Sequence, residues 1–167
     1  MDFHTYLSLF STASIVAAGI FAGVQLRQFY KQRTRESALQ LLHSFQTAEF
    51  TEAVQIVFEL PEGLSKRELE ERIGKKIISI LIMFGTLESL GIMIYHKEID
   101  VDLVDDFFSG IILLSWKKFR GYIEEMRITS GRDTYYEWAQ WLAELFERRE
   151  RHSPPVPAYI AFRHWKK

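Results

Sequence analysis

The sequence lacks cysteine and carries almost no net charge, and both absences restrict what the protein can be. Because there is no cysteine, a reducing compartment suits the chain, although a periplasmic protein without cysteine is equally compatible. The formal net charge of −1 argues against a nucleic-acid-binding protein, which needs a broad basic face. Hydrophobic residues make up 47% of the chain, which predicts a globular protein rather than a disordered one.

Sheet patterns and catalytic motifs are missing as well. No run of alternating polar and apolar residues is long enough to predict a strand. The chain has no nucleophile elbow, phosphate loop or dinucleotide fingerprint, and its histidines lack zinc-site spacing. The acidic residues between 98 and 106 lack the glycine and terminal glutamate of a calcium-binding loop. The sequence therefore predicts an all-α protein with no metal site and no cofactor.

Charge is also absent near the start of the chain. The 22 residues from Thr5 to Leu26 contain no charged side chain, and a helix of this length rises roughly 33 Å, enough to cross a bilayer's hydrocarbon core. We therefore predict a transmembrane helix over residues 5–26. The alternatives are a cleaved signal peptide, which would need a positive n-region, and a buried core helix, which rarely has so long an uncharged run.

Basic residues follow this stretch directly, with no acid among them. They are Arg27, Lys31, Arg33 and Arg35. Positive residues mark the cytoplasmic end of a membrane helix, so we expect a single-pass protein with its N-terminus outside and its body in the cytoplasm.

Small residues form one face of the predicted span. Gly19 and Gly23 make a GxxxG motif, and Ser14, Ala18 and Ala22 form a second row beside it. Small side chains let another helix approach closely and gain van der Waals contacts. The pattern favours a self-dimer or a contact with another integral membrane protein, although small residues are also simply common in membrane helices.

The chain after the span predicts a helical body and a tail. Residues 1–4 form the N-terminal end, followed by the span at 5–26. We then expect a juxtamembrane helical stalk over 27–48, a bundle of about five helices over 49–150 and a proline-rich, basic-aromatic tail over 151–167.

Local signals predict where the helices of the body begin and end. Ser65 and Glu68 have the spacing of a capping box, as do Thr134 and Glu137. Asp100 is the predicted start of a short acidic helix, which Gly110 separates from the next helix.

Two stretches of the body and tail are compatible with further membrane contact. Ile77 to Tyr95 is apolar enough to be an alternative second span, but Glu88 near its centre would be costly there. In the tail, Tyr159, Phe162 and Trp165 fall three residues apart, which suits a membrane interface; the alternative is a frayed terminus or a strap on the bundle. The basic residues that we expect to face anionic headgroups there are Arg163, Lys166 and Lys167.

Glu88 is the most suggestive single residue of the body. It lies on the apolar stripe of the Ile77–Tyr95 segment, so its carboxylate must be paired, hydrogen-bonded or protonated. The candidate partners are Arg120, Arg127 and the indole of Trp116. A structural buried pair is the favoured interpretation, and a functional acid or ligand-binding group is the alternative.

Four motifs together resemble a known protein family. They are QLRQFYKQR (Gln25–Arg33), ESLGI (Glu88–Ile92), DDFFSGIILLSW (Asp105–Trp116) and TYYEWAQWLAE (Thr134–Glu144). The family comprises short bacterial proteins known as a domain of unknown function, and it implies an N-terminal span, a helical cytoplasmic body and the bacterial inner membrane. It brings no catalytic residue and no cofactor.

These observations favour a membrane-anchored, non-catalytic interaction protein, such as an accessory, scaffolding or regulatory subunit. An alternative is a membrane-bound enzyme or small-ligand receptor with Glu88 in an interhelical pocket. A weaker alternative is a sensor of lipid headgroups. The expected partners are an integral membrane protein or a second copy of the span, and anionic lipid, but not nucleic acid.

Overall fold

The computed structural model describes residues 15–29 and 45–166, which belong to two compact units, residues 1–40 and 41–167. All regular secondary structure within these two ranges is helical. This confirms the all-α fold class for the described part of the chain. We call residues 45–166 the body.

The first unit contains the apolar helix α1 (Ile15–Phe29), and every one of its residues is exposed. It includes part of the predicted span at 5–26. Residues 5–14 of that span and residues 30–44 of the predicted stalk lie outside the described residues, as do Ser14, Lys31, Arg33, Arg35 and Lys167.

The body begins with two capped helices. Helix α2 (Ala48–Glu59) starts at Thr47, whose side chain accepts the backbone N–H of Phe50 at 3.1 Å. Helix α3 (Lys66–Ile73) starts with the predicted capping box, which is confirmed: the Ser65 hydroxyl accepts the Glu68 N–H at 3.3 Å and the Glu68 carboxylate accepts the Ser65 N–H at 2.9 Å.

Helix α4 (Ile77–Tyr95) forms the centre of the core. A short 3-10 turn (Gly74–Lys76) joins it to α3, with Gly74 at a φ of +51°. Helix α4 packs against both α2 and α6 (Glu137–His152). Its buried residues are Ser79, Ile80, Met83, Phe84, Leu87, Leu90, Gly91 and Ile94.

Helix α5 (Val101–Ser130) corrects the predicted break at Gly110. The side chain of Asp100 caps its N-terminus as predicted, accepting the Asp102 N–H at 2.8 Å, but the helix then continues through Gly110 without interruption. Glycine lowers helix stability by only about 1 kcal/mol. Buried residues on both sides of Gly110 keep one helical phase, among them Val104 and Ile112, so packing on the core outweighs this cost.

The predicted start of α6 is also wrong. The helix begins at Glu137 rather than at Thr134, and its N-cap residue is Tyr136, which has a φ of +53° and no side-chain capping bond. Thr134 accepts the Glu137 N–H through its backbone carbonyl instead, at 3.4 Å. The capping box does not form because the first turn of α6 obtains its acceptor from another helix, as described below.

Helix α6 runs back along α5. Near its first turn, Arg127 of α5 donates to the Gln140 side chain at 2.6 Å, and near its last turn Arg149 donates to Asp105 at 2.7 Å. The tail continues without regular structure through Pro154–Pro157 and then forms the short helix α7 (Ala158–Ala161).

Candidate functional site

Glu88 caps the N-terminus of α6. Its Oε2 accepts the backbone N–H of Ala139 at 2.9 Å, and the N–H of Trp138 also donates to the carboxylate. The first N–H groups of any helix have no partner within the helix, and a negative group there is further favoured by the helix dipole. Glu88, a residue of α4, therefore provides the capping acceptor for α6 that the side chain of its N-cap residue Tyr136 does not provide.

Gly91 brings the two helices together at the same point. A Cβ atom built on Gly91 would lie 2.6 Å from the carbonyl oxygen of Trp138 and 3.0 Å from its Cβ. The absence of a side chain thus permits the first turn of α6 to rest directly on α4. Glu88 and Gly91 are three residues apart in the ESLGI motif, so a single turn of α4 provides both the cap and the contact surface.

Burial raises the pKa of the Glu88 carboxyl, and the nearby charge of Glu137 adds to this effect. The backbone N–H groups of Ala139 and Trp138 and the charge of Arg127 act in the opposite direction. The carboxylate is therefore held by backbone dipoles in a half-buried position where its charge is poorly solvated.

The hydrogen-bond donors to Glu88 differ from the side chains that the sequence suggested. Arg120 pairs with Glu124 at 2.7 Å along its own helix. Arg127 donates its Nε to the Tyr135 carbonyl at 2.8 Å, so it acts on Glu88 only through its charge. Trp116 is a buried core residue that also lines a groove between α5 and α6.

Lys118 is a second charged residue of the core, and no motif in the sequence singles it out. Its side chain is only 9% exposed, and its Nζ donates to the carbonyls of Val57 and Phe58 in the last turn of α2. A cation at the C-terminal end of a helix is favoured by the helix dipole. Its burial could have been predicted from helical periodicity, since Lys118 lies on the same buried stripe of α5 as Ser115 and Tyr122.

The acidic residues at the start of α5 hold the end of α6. Arg149 donates to both Asp102 and Asp105.

Across residues 15–29 and 45–166, no three histidine, cysteine, aspartate or glutamate side chains lie close enough together to hold a metal ion.

The family of the protein follows from comparison with known sequences. A family model described as a domain of unknown function (DUF4760) matches residues 12–146, more than half of the chain. The chain belongs to the DUF4760 family. This agrees with the resemblance carried by the four motifs, and the ESLGI turn that holds α6 lies within the matched residues. No curated protein and no solved structure matches the chain.

Within this DUF4760 chain, the small residues of α1 form an open surface. Gly19 and Gly23 have no atom within 4 Å of a Cβ built on them, and Ala18 and Ala22 are exposed. Arg27 lies exposed at the end of the same helix.

Helix α4 also has an exposed face without charge. Its residues are Ile78, Ile82, Gly85, Ser89 and Ile92, and they recur at spacings of three and four, so they form one stripe. Within the segment Lys66–Tyr95, a window of 18 residues is long and apolar enough to cross a membrane; its mean hydropathy is 2.1, and 44% of it is buried inside the body. The core helix of a soluble protein meets the same criterion.

The tail, which follows the matched residues, is exposed along its described length from Arg151 to Lys166. Its aromatic side chains are among the most exposed of the body, at 75% for Tyr159, 65% for Phe162 and 70% for Trp165. The basic residues Arg163 and Lys166 are exposed beside them.

Proposed function

We propose that this protein is a membrane-anchored, non-catalytic interaction protein of the bacterial inner membrane. A span over residues 5–26 holds it, with the N-terminus outside, and a cytoplasmic bundle of α2–α6 provides its bulk. The span and the body together recruit or support another integral membrane protein, as an accessory, scaffolding or regulatory subunit does.

The capping bond of Glu88 is the observation that carries this proposal. The competing function, an enzyme or a small-ligand receptor, depends on Glu88 being free in a pocket between helices. Its carboxylate instead accepts backbone N–H groups of α6. The grooves lined by Trp116 and by Phe107 do not include Glu88 among their lining residues. A carboxylate engaged by a helix end stabilises the fold and is poorly placed to bind substrate.

The exposure of α1 supports the membrane anchor. Its large apolar side chains are exposed, for example Ile15 at 70% and Phe21 at 66%. An isolated helix of this length is marginally stable in water, and so large an apolar surface marks a site that lipid or protein covers. The uncharged run that extends from Thr5 to Leu26 has the length that a bilayer requires.

Helix α4 is, in this proposal, a core helix rather than a second span. Its buried side chains face α2 and α6, and Ser79 donates to Glu52 of α2 at 2.6 Å. Leaving these contacts for lipid would expose Glu88 to hydrocarbon, which is costly. The uncharged stripe around Gly85 and Ser89 then remains available to a partner helix.

Replacing both Gly19 and Gly23 with isoleucine should release the partner. Two bulky side chains on the open face of α1 would hold the facing helix away, and the contacts that drive association in lipid would be lost. The measurement is copurification of the tagged protein in mild detergent, with mass spectrometry of the proteins retained and crosslinking to detect a self-dimer.

Ala17→Ile provides the matched control, because position 17 lies on the opposite side of the helix from Gly19 and Gly23. We expect this variant to retain the same partner as the wild type. Equal retention by the double variant and the control would show that the small-residue face is not a contact surface.

A further inference from the structure

The tail carries positive charge that nothing within it balances. After Glu150 the sequence has no acidic residue up to Lys167, whereas Arg151, Arg163, Lys166 and Lys167 are all basic. The exposed aromatic residues lie within the same segment. Aromatic rings and basic side chains together are typical of segments that lie in the headgroup layer of a membrane.

The tail also lies beside the start of α5. It forms one wall of a groove whose other wall is the start of α5, including Asp105 and Phe107. Phe108, next in sequence, stacks on Phe45 with 3.8 Å between the ring centroids. The tail and Phe45 therefore both lie beside the start of α5.

We infer that the tail, residues 151–167, binds the anionic surface of the bilayer as a second membrane contact of the body. The inference rests on the proposed function, because the span is what brings the body to a membrane. Tyr159, Phe162 and Trp165 insert their rings at the level of the headgroups, and the basic side chains pair with lipid phosphates. The body is thereby held against the cytoplasmic leaflet at two places.

Charge complementarity favours anionic lipid as the binding partner of the tail. A segment that has four basic residues and no acid is attracted to any anionic bilayer surface without requiring a matched geometry. Its exposed rings are spread over consecutive turns and loops and do not form one continuous stripe on a long helix. A partner protein would need a complementary groove for the same segment, and the experiment below distinguishes that case from lipid binding.

The absence of cysteine makes the test direct. The variant Ala161→Cys places a unique thiol in the exposed tail, and Ile128→Cys places one at another exposed position, 81% exposed, near the end of α5. Each full-length variant is labelled with an environment-sensitive fluorophore. It is then reconstituted into nanodiscs of phosphatidylcholine, alone or mixed with phosphatidylglycerol, with brominated lipid as quencher.

We expect the label at position 161 to shift to the blue and to be quenched in the anionic discs, and both effects to weaken at high salt because screening reduces the attraction. The label at position 128 should remain in water in both kinds of disc. Adding Arg163→Glu and Lys166→Glu to the Ala161→Cys variant should abolish the shift. These exposed positions can change without disturbing the core.

Several outcomes would overturn the inference. The label at position 161 could stay aqueous in both discs, or be quenched equally with and without anionic lipid. A shift only after addition of native membrane proteins would assign the tail to a protein partner. Failure of the anchor is detected separately: a protein that alkaline carbonate extracts from membranes has no span. The same labelled protein mixed with anionic vesicles would then still test the tail.

Discussion

Replacing Gly91 with alanine should lower the free energy of unfolding of the body by about 1–3 kcal/mol, the usual cost of overpacking a core. The new Cβ would lie 2.6 Å from the Trp138 carbonyl oxygen, and backbone cannot move aside as the end of a flexible side chain can. Helix α6 would have to shift away from α4, weakening the cap from Glu88. Chemical unfolding followed by circular dichroism measures the effect.

Gly85→Ala is the matched control, because Gly85 lies on the exposed face of the same helix and a Cβ there meets nothing within 4 Å. Alanine favours the helix over glycine by up to about 1 kcal/mol, so this variant should be as stable as the wild type or more stable. Equal effects of the two substitutions would show that α6 does not approach α4 at Gly91.

Replacing Glu88 with alanine should cost about 0.5–2 kcal/mol of unfolding free energy, the range found when the capping acceptor of a helix is removed. The N–H groups of Trp138 and Ala139 would lose their acceptor. Glu88→Gln keeps an acceptor oxygen and most of the side-chain volume, so it should retain most of the stability. Thermal melts of the three proteins give the comparison.

The two Glu88 variants also distinguish a structural capping role of Glu88 from a role in binding a ligand. If Glu88→Ala left the melting temperature unchanged but abolished a cellular phenotype, the capping role would be wrong and a ligand site would replace it. If neither property changed, Glu88 would face solvent or headgroups rather than α6.

The pH dependence of the same variants has a definite sign. Burial raises the pKa of Glu88 above its ordinary value, so between the two values the folded state binds more protons than the unfolded state. The stability that Glu88 contributes is therefore complete below the ordinary pKa and declines as the pH rises through the raised pKa. Glutamine does not titrate, so the stability of the wild type relative to Glu88→Gln should fall across this window. A flat difference would indicate an unshifted pKa.

Signals that act within a few residues could be predicted from the sequence. The capping box of Ser65 and Glu68 and the cap of Asp100 involve neighbours in the chain, and both form as expected. The box of Thr134 and Glu137 has the same spacing but does not form, since Glu88 of a different helix supplies the acceptor. Gly110 looked like a helix end because local propensity cannot include the packing on either side of it.

The charged residues of the core show most clearly what could not be predicted from the sequence. Periodicity indicated that Glu88 faces inward, yet it could not identify the donors, because these are backbone groups of a helix some fifty residues away. The pairing of Lys118 is hidden in the sequence for the same reason, since its acceptors are backbone carbonyls at the end of α2. Patterns in a sequence indicate the chemistry of side chains. In these two sites the partner of the side chain is a backbone group of another helix, and no side-chain pattern identifies it.

The central claim, a single N-terminal span with the body in the cytoplasm, is tested most directly by topology reporters fused at two sites. One fusion follows Gly63, in the turn between α2 and α3, and the other follows Lys167. Both should be active with a cytoplasmic reporter and inactive with a periplasmic one. Opposite sides for the two fusions would make α4 a second span, and periplasmic activity at both would reverse the orientation. Either result would contradict the account.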